Sequence, residues 1–311
     1  MELLWIAISI FAALLQVVRT AGQKQLNAHL STTATTGIRS LFGMPFLVVY
    51  LLAVEWWSDA PLPDLGTAFW LYTLGASLTQ VVATWLLLVL FTMRNFAVGT
   101  VLPKFDIVLT AILGLVIFGE AVTLTGWVGI AAAALGVGFL SAEKFGGIAV
   151  VEGPSGEATR GAGRLGALFS PAILTGFAAA LGFTLSYLFL REASLALNEP
   201  FVRAAAWTVN AVVLLQVIGF GIWFVSSGAA EQPTVRAHWR PSLFVGITSA
   251  VGSIGWFTAM TLVNAAYVKA VGQIEAVFAL AISAFYFRER VSRTEMVGMA
   301  LIVASVLVFL L

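Results

Sequence analysis

The chain has 311 residues, of which 60% are hydrophobic and 10% charged, against about 45–50% and about 25% in soluble domains. A soluble fold of this composition would expose more contiguous apolar surface than monomers tolerate, which excludes an ordinary water-soluble protein. Sixteen basic and fifteen acidic residues nearly cancel and there is no cysteine, so no nucleic-acid partner is indicated and disulfides and thiolate metal sites are excluded.

Ten segments are long and apolar enough to cross a bilayer core, which takes about 20 predominantly apolar residues. In chain order they are 3–26, 32–54, 67–91, 97–118, 122–141, 167–190, 200–226, 242–263, 266–287 and 294–311. Most of the connections are short, so successive helices are expected to be antiparallel neighbours. The sequence therefore predicts an all-α membrane protein with ten transmembrane helices.

The two halves of the chain resemble each other. A shift of 169 residues aligns polar positions as well as apolar ones: Asn95 with Asn264, Asp106 with Glu275, and Glu120 with Glu289. The alternative is chance matching between apolar runs. Because five helices is an odd number, the second half enters the membrane in the opposite sense, as in the inverted repeats of secondary transporters. We predict a first five-helix repeat at 1–141, a linker at 142–166 and a second five-helix repeat at 167–311.

Basic residues between the predicted spans indicate the orientation, because cytoplasmic loops carry an excess of Lys and Arg. Nine of them fall on one side: Arg94, Lys144, Arg160, Arg164, Arg236, Arg240, Arg288, Arg290 and Arg293. Arg191 falls on the other side. This distribution predicts that both termini lie outside the cytoplasm.

Each half ends in the same pattern of an apolar helix, an acid, a short turn and a glycine-bearing final helix. In the first half these are GLVIFGE (114–120) and GWVGIAAAALGVG (126–138), and in the second ALAISAFYFRE (279–289) and MVGMALIVASVL (296–307). An arginine lies early in the second helix of each half, at Arg39 and Arg203.

This pattern resembles the drug/metabolite transporter superfamily, specifically its ten-helix EamA-type permeases. The resemblance implies alternating-access transport of a small metabolite, commonly the export of amino acids or related compounds, in a bacterial inner membrane. It also implies cytoplasmic termini, the opposite of the orientation that the basic residues predict.

Two acids are expected near the middle of the membrane. Asp106 lies nine residues into the fourth span and Glu275 at the same depth in the ninth. At 1.5 Å per residue this is roughly 14 Å, near the centre of a core about 30 Å thick. Charge at that depth costs at least about 2.5–3.5 kcal/mol per residue and usually faces an interior cavity. The acids are candidates for proton coupling or substrate contact, or alternatively for structural pairing with Lys104 and Lys269.

Arg19 and Arg39 are candidates for contact with an anionic substrate, since guanidinium groups bind carboxylate and phosphate in bidentate fashion. The alternative is that their side chains reach along apolar surface to the membrane interface. Gln273, Trp85 and Trp256 are weaker candidates for lining a pocket, because polar and aromatic residues in spans more often serve packing.

These features predict a secondary transporter of a small polar metabolite, with protons as a possible coupling ion and membrane lipids as surroundings. A flippase for a lipid-linked compound is the alternative within transport, and a structural or sensory membrane protein is the alternative outside it. We predict no catalytic, cofactor-binding or metal-binding residues, because no motif of hydrolase, metalloprotease or phosphate-loop type occurs. The sequence leaves the substrate and the oligomeric state open.

Overall fold

The computed structural model describes residues 3–58, 60–93, 102–146, 171–227, 229–285 and 292–310. The α-helices in these ranges are α1 (Leu4–Leu26), α2 (Thr32–Trp56), α3 (Thr67–Met93), α4 (Asp106–Phe118), α5 (Leu124–Gly146), α6 (Pro171–Ala196), α7 (Phe201–Ser226), α8 (Gln232–Ala237), α9 (Trp239–Leu262), α10 (Ala265–Gly272), α11 (Ile274–Phe285) and α12 (Arg293–Val308). Two 3₁₀ helices, Leu102–Phe105 and Ala229–Glu231, precede α4 and α8.

The prediction of an all-helical fold is confirmed, and helices occupy all ten predicted segments. By length and composition, six helices of the described ranges can cross a membrane: α1, α2, α3, α6, α7 and α9. The ninth predicted span is divided into α10 and α11, and the short helix α8 before α9 was not predicted. The predicted linker at 142–166 lies mostly outside the described residues, and its boundaries stay a prediction.

Local signals in the sequence fix several helix ends. The Ser31 hydroxyl accepts a hydrogen bond from the Ala34 N–H at 3.2 Å and so caps α2. Ser292 and Glu295 form a capping box at the start of α12, which satisfies two backbone donors that the helix leaves unpaired. Gly119 ends α4 at φ 68°, a left-handed conformation that glycine adopts without steric cost.

The pattern of helix packing stays the same when the two halves of the chain are exchanged. Helix α1 packs on α9, and the equivalent pair from the other half is α6 on α3. Helix α2 packs on α7, its counterpart in the other half, and α5 packs on its counterpart α12. Exchange of the halves therefore leaves each of these pairs the same. This is the arrangement expected of two repeats related by a pseudo-two-fold axis.

Arg203, at the start of α7, holds one end of the structure together. Its guanidinium donates to both carboxylate oxygens of Glu55 at 2.8 and 2.9 Å, to Glu199 at 2.9 Å and to the Pro61 carbonyl at 2.7 Å. Such a forked, charge-assisted pairing is stronger than a neutral hydrogen bond. Arg203 thus joins α7 to the end of α2, the helix that occupies the equivalent position in the first half.

Arg191, near the end of α6, binds a second set of helix ends. It forms an ion pair with Glu120 at 2.8 Å and donates to the Met260 and Val263 carbonyls at 2.5 and 2.7 Å. These carbonyls lie at the C-terminal end of α9, where a cation offsets the negative end of the helix dipole. Glu120, the acid at the end of the GLVIFGE motif, is therefore the partner of a basic residue on another helix.

The crossing of α5 over α12 depends on two glycines. A Cβ at Gly136 would lie 2.8 Å from the Gly298 carbonyl oxygen, and a Cβ at Gly298 would lie 2.7 Å from the Gly136 carbonyl oxygen. The Ser305 hydroxyl also donates to the Gly129 carbonyl at 2.7 Å across this contact. In lipid, small residues allow such close approach, and van der Waals contact and hydrogen bonds then stabilise the pair.

We predict that Gly136→Ala destabilises the protein by about 1–3 kcal/mol, the usual cost of forcing an extra methyl group into a packed contact. Thermal unfolding of the detergent-solubilised protein measures the effect. Gly138→Ala is the matched control, because a Cβ there meets nothing within 4 Å and its melting temperature should not fall. Equal melting temperatures for the two variants would contradict the proposed close contact.

Candidate substrate site

Two spans that occupy equivalent places in the two halves either change from 3₁₀ to α-helix or break, and an acid follows each of these interruptions of the α-helix. The 3₁₀ helix Leu102–Phe105 leads into α4, which begins at Asp106. Helix α10 ends at Gly272, and α11 has Glu275 in its first turn. A carboxylate in the first turn of a helix is stabilised by the positive end of the helix dipole. Interrupted helices of this kind form the binding sites of many transporters.

The charged side chains at these interruptions pair across the two halves. Lys269 Nζ lies 3.0 Å from Asp106 Oδ2, and Lys104 forms an ion pair with Glu275. Lys104 and Asp106 belong to the first half, whereas Lys269 and Glu275 belong to the second. Each ion pair therefore joins one half to the other, which agrees with the predicted alternative of pairing with a neighbouring helix.

The Asp106–Lys269 pair is deeply buried, with 3% of Asp106 and 7% of Lys269 exposed. Lys269 donates to the Tyr187 hydroxyl at 3.2 Å and lies 4.4 Å from the Tyr187 ring and 5.3 Å from the Trp256 ring. Aromatic faces attract a cation, more strongly when water is excluded. Tyr187 and Trp256 thus enclose the ammonium group.

Unsatisfied polar atoms remain beside this pair. Within the described residues, Asp106 Oδ1 and Gln273 Oε1 are buried and have no hydrogen-bond partner. Gln273 is fully buried and donates its Nε2 hydrogen to the Lys269 carbonyl at 3.2 Å. Because buried polar atoms are nearly always hydrogen-bonded, each of these oxygens is available to accept a bond from a water or a substrate.

Arg39 is held by neutral partners. It donates to Gln80 Oε1 at 2.6 Å and to the Thr84 hydroxyl at 3.0 Å. Gln216 donates to the same Gln80 oxygen at 2.8 Å and accepts from the Ser40 hydroxyl at 2.5 Å. This buried network joins α2, α3 and α7. It orients the guanidinium group but supplies no negative charge.

Arg19 is also buried, with 7% of the residue exposed. It donates a hydrogen bond to Gln16 on its own helix, and its Nε has no partner among the described residues. Arg19 lies within electrostatic range of Arg39 and of Tyr187. Tyr187 also binds Lys269, so the two arginines belong to one charged region together with the Asp106–Lys269 pair.

A cavity of about 10 Å³ lies beside Arg39, where α2, α7 and α9 meet. This volume holds about one water molecule. Its lining residues are Arg39, Ser40, Gly43, Leu47, Val213, Ser249, Ala250 and Ser253. The Ser249 hydroxyl is buried without a partner in the described part of the chain, so it can donate to a ligand beside the Arg39 guanidinium.

The structure brings eight of the nine predicted site residues into one region: Asp106, Glu275, Arg19, Arg39, Lys104, Lys269, Gln273 and Trp256. Trp85 lies apart from them, because it is 40% exposed on the outer face of α3 and donates to the Thr33 hydroxyl at 3.3 Å. Their roles in transport remain predictions.

Sequence reasoning gave no special weight to Tyr187, and it did not select Ser249 or Gln216. Small polar residues are common in membrane helices, and their hydrogen bonds are usually local. The one usable signal was that Gln80 and Gln216 are amides inside apolar runs, which usually need a partner.

No group of three or more potential metal-binding side chains occurs within the described ranges. The buried polar atoms that lack partners in the described residues include the Asp106 carboxylate oxygen, the Gln273 amide oxygen, the Ser249 hydroxyl and the Arg19 Nε. Such a set suits recognition of a polar organic molecule by hydrogen bonds and charge.

Comparison with known proteins identifies the repeats independently. A family model described as the EamA-like transporter family matches residues 3–142 and residues 170–311. This match confirms the two-repeat organisation and the resemblance inferred from the sequence. Among 26 matching chains of solved structures, one described only as "Crystal structure of protein" has a TM-score of 0.66 and 13% identity, covering 99% of this chain and 95% of that one. At that identity the likeness shows the fold alone. No curated protein matches.

We predict that Lys269→Gln destabilises the protein by about 3–5 kcal/mol, because it leaves the buried Asp106 carboxylate without its partner. The double variant Asp106→Asn, Lys269→Gln should recover most of that loss, since it removes both charges. Thermal unfolding of purified protein in detergent measures both values. A double variant that is as unstable as the sum of its single variants would contradict the pairing.

Proposed function

Because this chain belongs to the EamA-like transporter family, whose members are membrane transporters, we propose that it is a secondary active transporter of a small metabolite that carries a carboxylate or a similar anionic group. The observation that carries this proposal is the pair of buried arginines, Arg19 and Arg39, which have neutral hydrogen-bond partners and no carboxylate partner in the described part of the chain. A charge buried in a membrane protein usually has a counter-charge. A substrate anion would provide it.

The chemistry of arginine supports this substrate class. A guanidinium group offers a planar fork of donors that matches carboxylate and phosphate oxygens. Arg19 Nε and the Ser249 hydroxyl are unpartnered donors in this region. Among the compounds that the family resemblance implies, amino acids and related metabolites carry the required carboxylate.

Alternating access is the mechanism that the packing supports. The cavity at Arg39 holds about one water, so a larger substrate enters only when the helices around it separate. The helix pairs α1–α9 and α3–α6 pack in equivalent places in the two repeats, and separation of each pair would open the site toward one side of the membrane. Rocking of one repeat against the other around a central site would open these paths in turn.

Proton coupling is the part of the proposal that assigns a role to Asp106 and Glu275. Each acid is paired with a lysine of the other half, so separation of the halves during the transport cycle would leave it without that partner. Either a proton or a substrate cation would then compensate the carboxylate. The direction of net transport follows the gradient that is coupled, and export from a bacterial cell is the direction that the family resemblance favours.

Uptake into proteoliposomes tests the proposed function. The substrate panel contains radiolabelled amino acids, organic acids and organic cations, each with and without a pH gradient. We expect uptake of one anionic or carboxylate-bearing class, driven by the gradient and reduced at least tenfold by Asp106→Asn or Glu275→Gln. Gradient-independent uptake that survives both substitutions would contradict coupling through these acids. Uptake of cations alone would contradict the proposed substrate class. Inactivity across the panel, both in empty vesicles and in vesicles preloaded with the same unlabelled compounds, would favour lipid-linked substrates.

We also predict that Arg39→Gln raises the KM for the transported anion by roughly 10–100-fold, because a hydrogen bond to a charged group contributes about 1.5–3 kcal/mol. Arg240→Gln is the matched control, since Arg240 is exposed and its guanidinium lies over the Trp239 ring at 5.4 Å. Initial uptake rates over a range of substrate concentrations measure both variants. An unchanged KM in Arg39→Gln would remove this arginine from the site.

A further inference from the structure

The buried region around the interrupted helices carries an excess of positive charge. Its cations are Lys104, Lys269, Arg19 and Arg39, and its anions are Asp106 and Glu275. The two ion pairs compensate both lysines and both acids. Among the described residues, two positive charges therefore remain, one on each arginine.

Among the described residues, no acid forms an ion pair with Arg19 or Arg39. Glu55 and Glu199 bind Arg203, and Glu120 binds Arg191. Hydrogen bonds that the two guanidinium groups donate to Gln16, Gln80 and Thr84 orient them but leave their charges in place.

Arg19 lies between Leu15 and Gly22 on the face of α1 that packs on α9, where these residues meet Gly252 and Val245. Ser249, between those two positions on the same face of α9, lines the cavity at Arg39. A ligand between the two arginines that neutralises both is therefore favoured over a ligand that neutralises one.

From this charge balance we propose that the site binds a small dianion, such as a dicarboxylate or a phosphate monoester, and transports it by exchange for another dianion. This inference rests on the proposed function and specifies its substrate class. A ligand with two negative groups would bring the region to electrical neutrality. It would also present several oxygens to donors that lack partners, Arg19 Nε and the Ser249 hydroxyl.

Exchange follows from the same charge balance. With a dianion bound, the region is neutral while the two halves change conformation. Without it, two uncompensated charges would have to move through the low-dielectric part of the membrane on the return step. Occupied sites should therefore reorient much faster than empty ones, and uptake should require a dianion on the opposite side.

The test uses proteoliposomes containing the full chain, at a pH where succinate is fully ionised. The probes are radiolabelled succinate as a dicarboxylate, glycerol phosphate as a phosphate monoester and lactate as a monocarboxylate. We expect succinate or glycerol phosphate to be taken up at least tenfold faster than lactate. We also expect uptake to be at least tenfold faster into vesicles loaded with the same unlabelled dianion than into empty vesicles.

Two substitutions of Arg39 separate the effect of its charge from the effect of its forked guanidinium geometry. Arg39→Gln leaves one uncompensated charge and should shift the ratio of dianion to lactate uptake by about tenfold toward lactate. Arg39→Lys also loses the forked geometry but keeps the charge, so it should slow transport without changing that ratio. The same pair of substitutions at Arg19 repeats the test if an Arg39 variant fails to fold, and melting temperatures identify such a failure.

The outcomes distinguish this inference from the proposed function. Three outcomes would each overturn the dianion exchanger while leaving an anion transporter. They are comparable uptake of lactate and the dianions by the wild type, equal uptake into empty and loaded vesicles, and the same ratio of dianion to lactate uptake in Arg39→Gln and Arg39→Lys. Absence of uptake for all three probes, together with transport of a cation, would overturn both. A preference between succinate and glycerol phosphate would identify which dianion chemistry the site favours.

Discussion

The compensation of charge inside an apolar protein is the constraint on which this structure depends. Asp106 and Glu275 begin the inner segments of two interrupted spans, and each is paired with a lysine from the opposite half. Removing one member of such a buried pair is strongly unfavourable. These two ion pairs therefore hold the two halves together, and both acids lie in first turns of helices, where helix dipoles stabilise the carboxylates.

The arginines fall into two groups that differ in their compensation. Arg191 and Arg203 lie near helix ends, where each binds a carboxylate and backbone carbonyls. Arg19 and Arg39 lie inside the bundle, where each binds neutral side chains. The first group is satisfied within the protein and stabilises the fold. The charges of the second group have no counter-charge among the described residues, and this difference separates the candidate site from the structural ion pairs.

Packing between the helices is compatible with a structure that changes shape. Small residues at the α5–α12 crossing and at the α2–α9 contact, where a Cβ on Gly246 would meet Phe42 at 2.5 Å, let the backbones approach closely. In lipid no hydrophobic driving force holds helices together, so such contacts depend on van der Waals packing and hydrogen bonds. The α1–α9 and α3–α6 contacts exchange when the two repeats are exchanged, a symmetry that the proposed alternating access would use.

The sequence by itself determined the membrane class, the helix positions and the relation between the halves, because hydropathy and a fixed register are properties of the linear chain. It also singled out Asp106 and Glu275, since charge inside an apolar run is conspicuous. Only the tertiary structure decided that Lys104 pairs with Glu275 and Lys269 with Asp106, that the ninth span is interrupted, and that Trp85 lies on the outer face. For Arg19 and Arg39 the sequence left cavity and interface equally open, and the fold buried both. The reason is physical: the cost of a buried charge depends on which distant side chains surround it, and only the packing of helices from both repeats brings those side chains together.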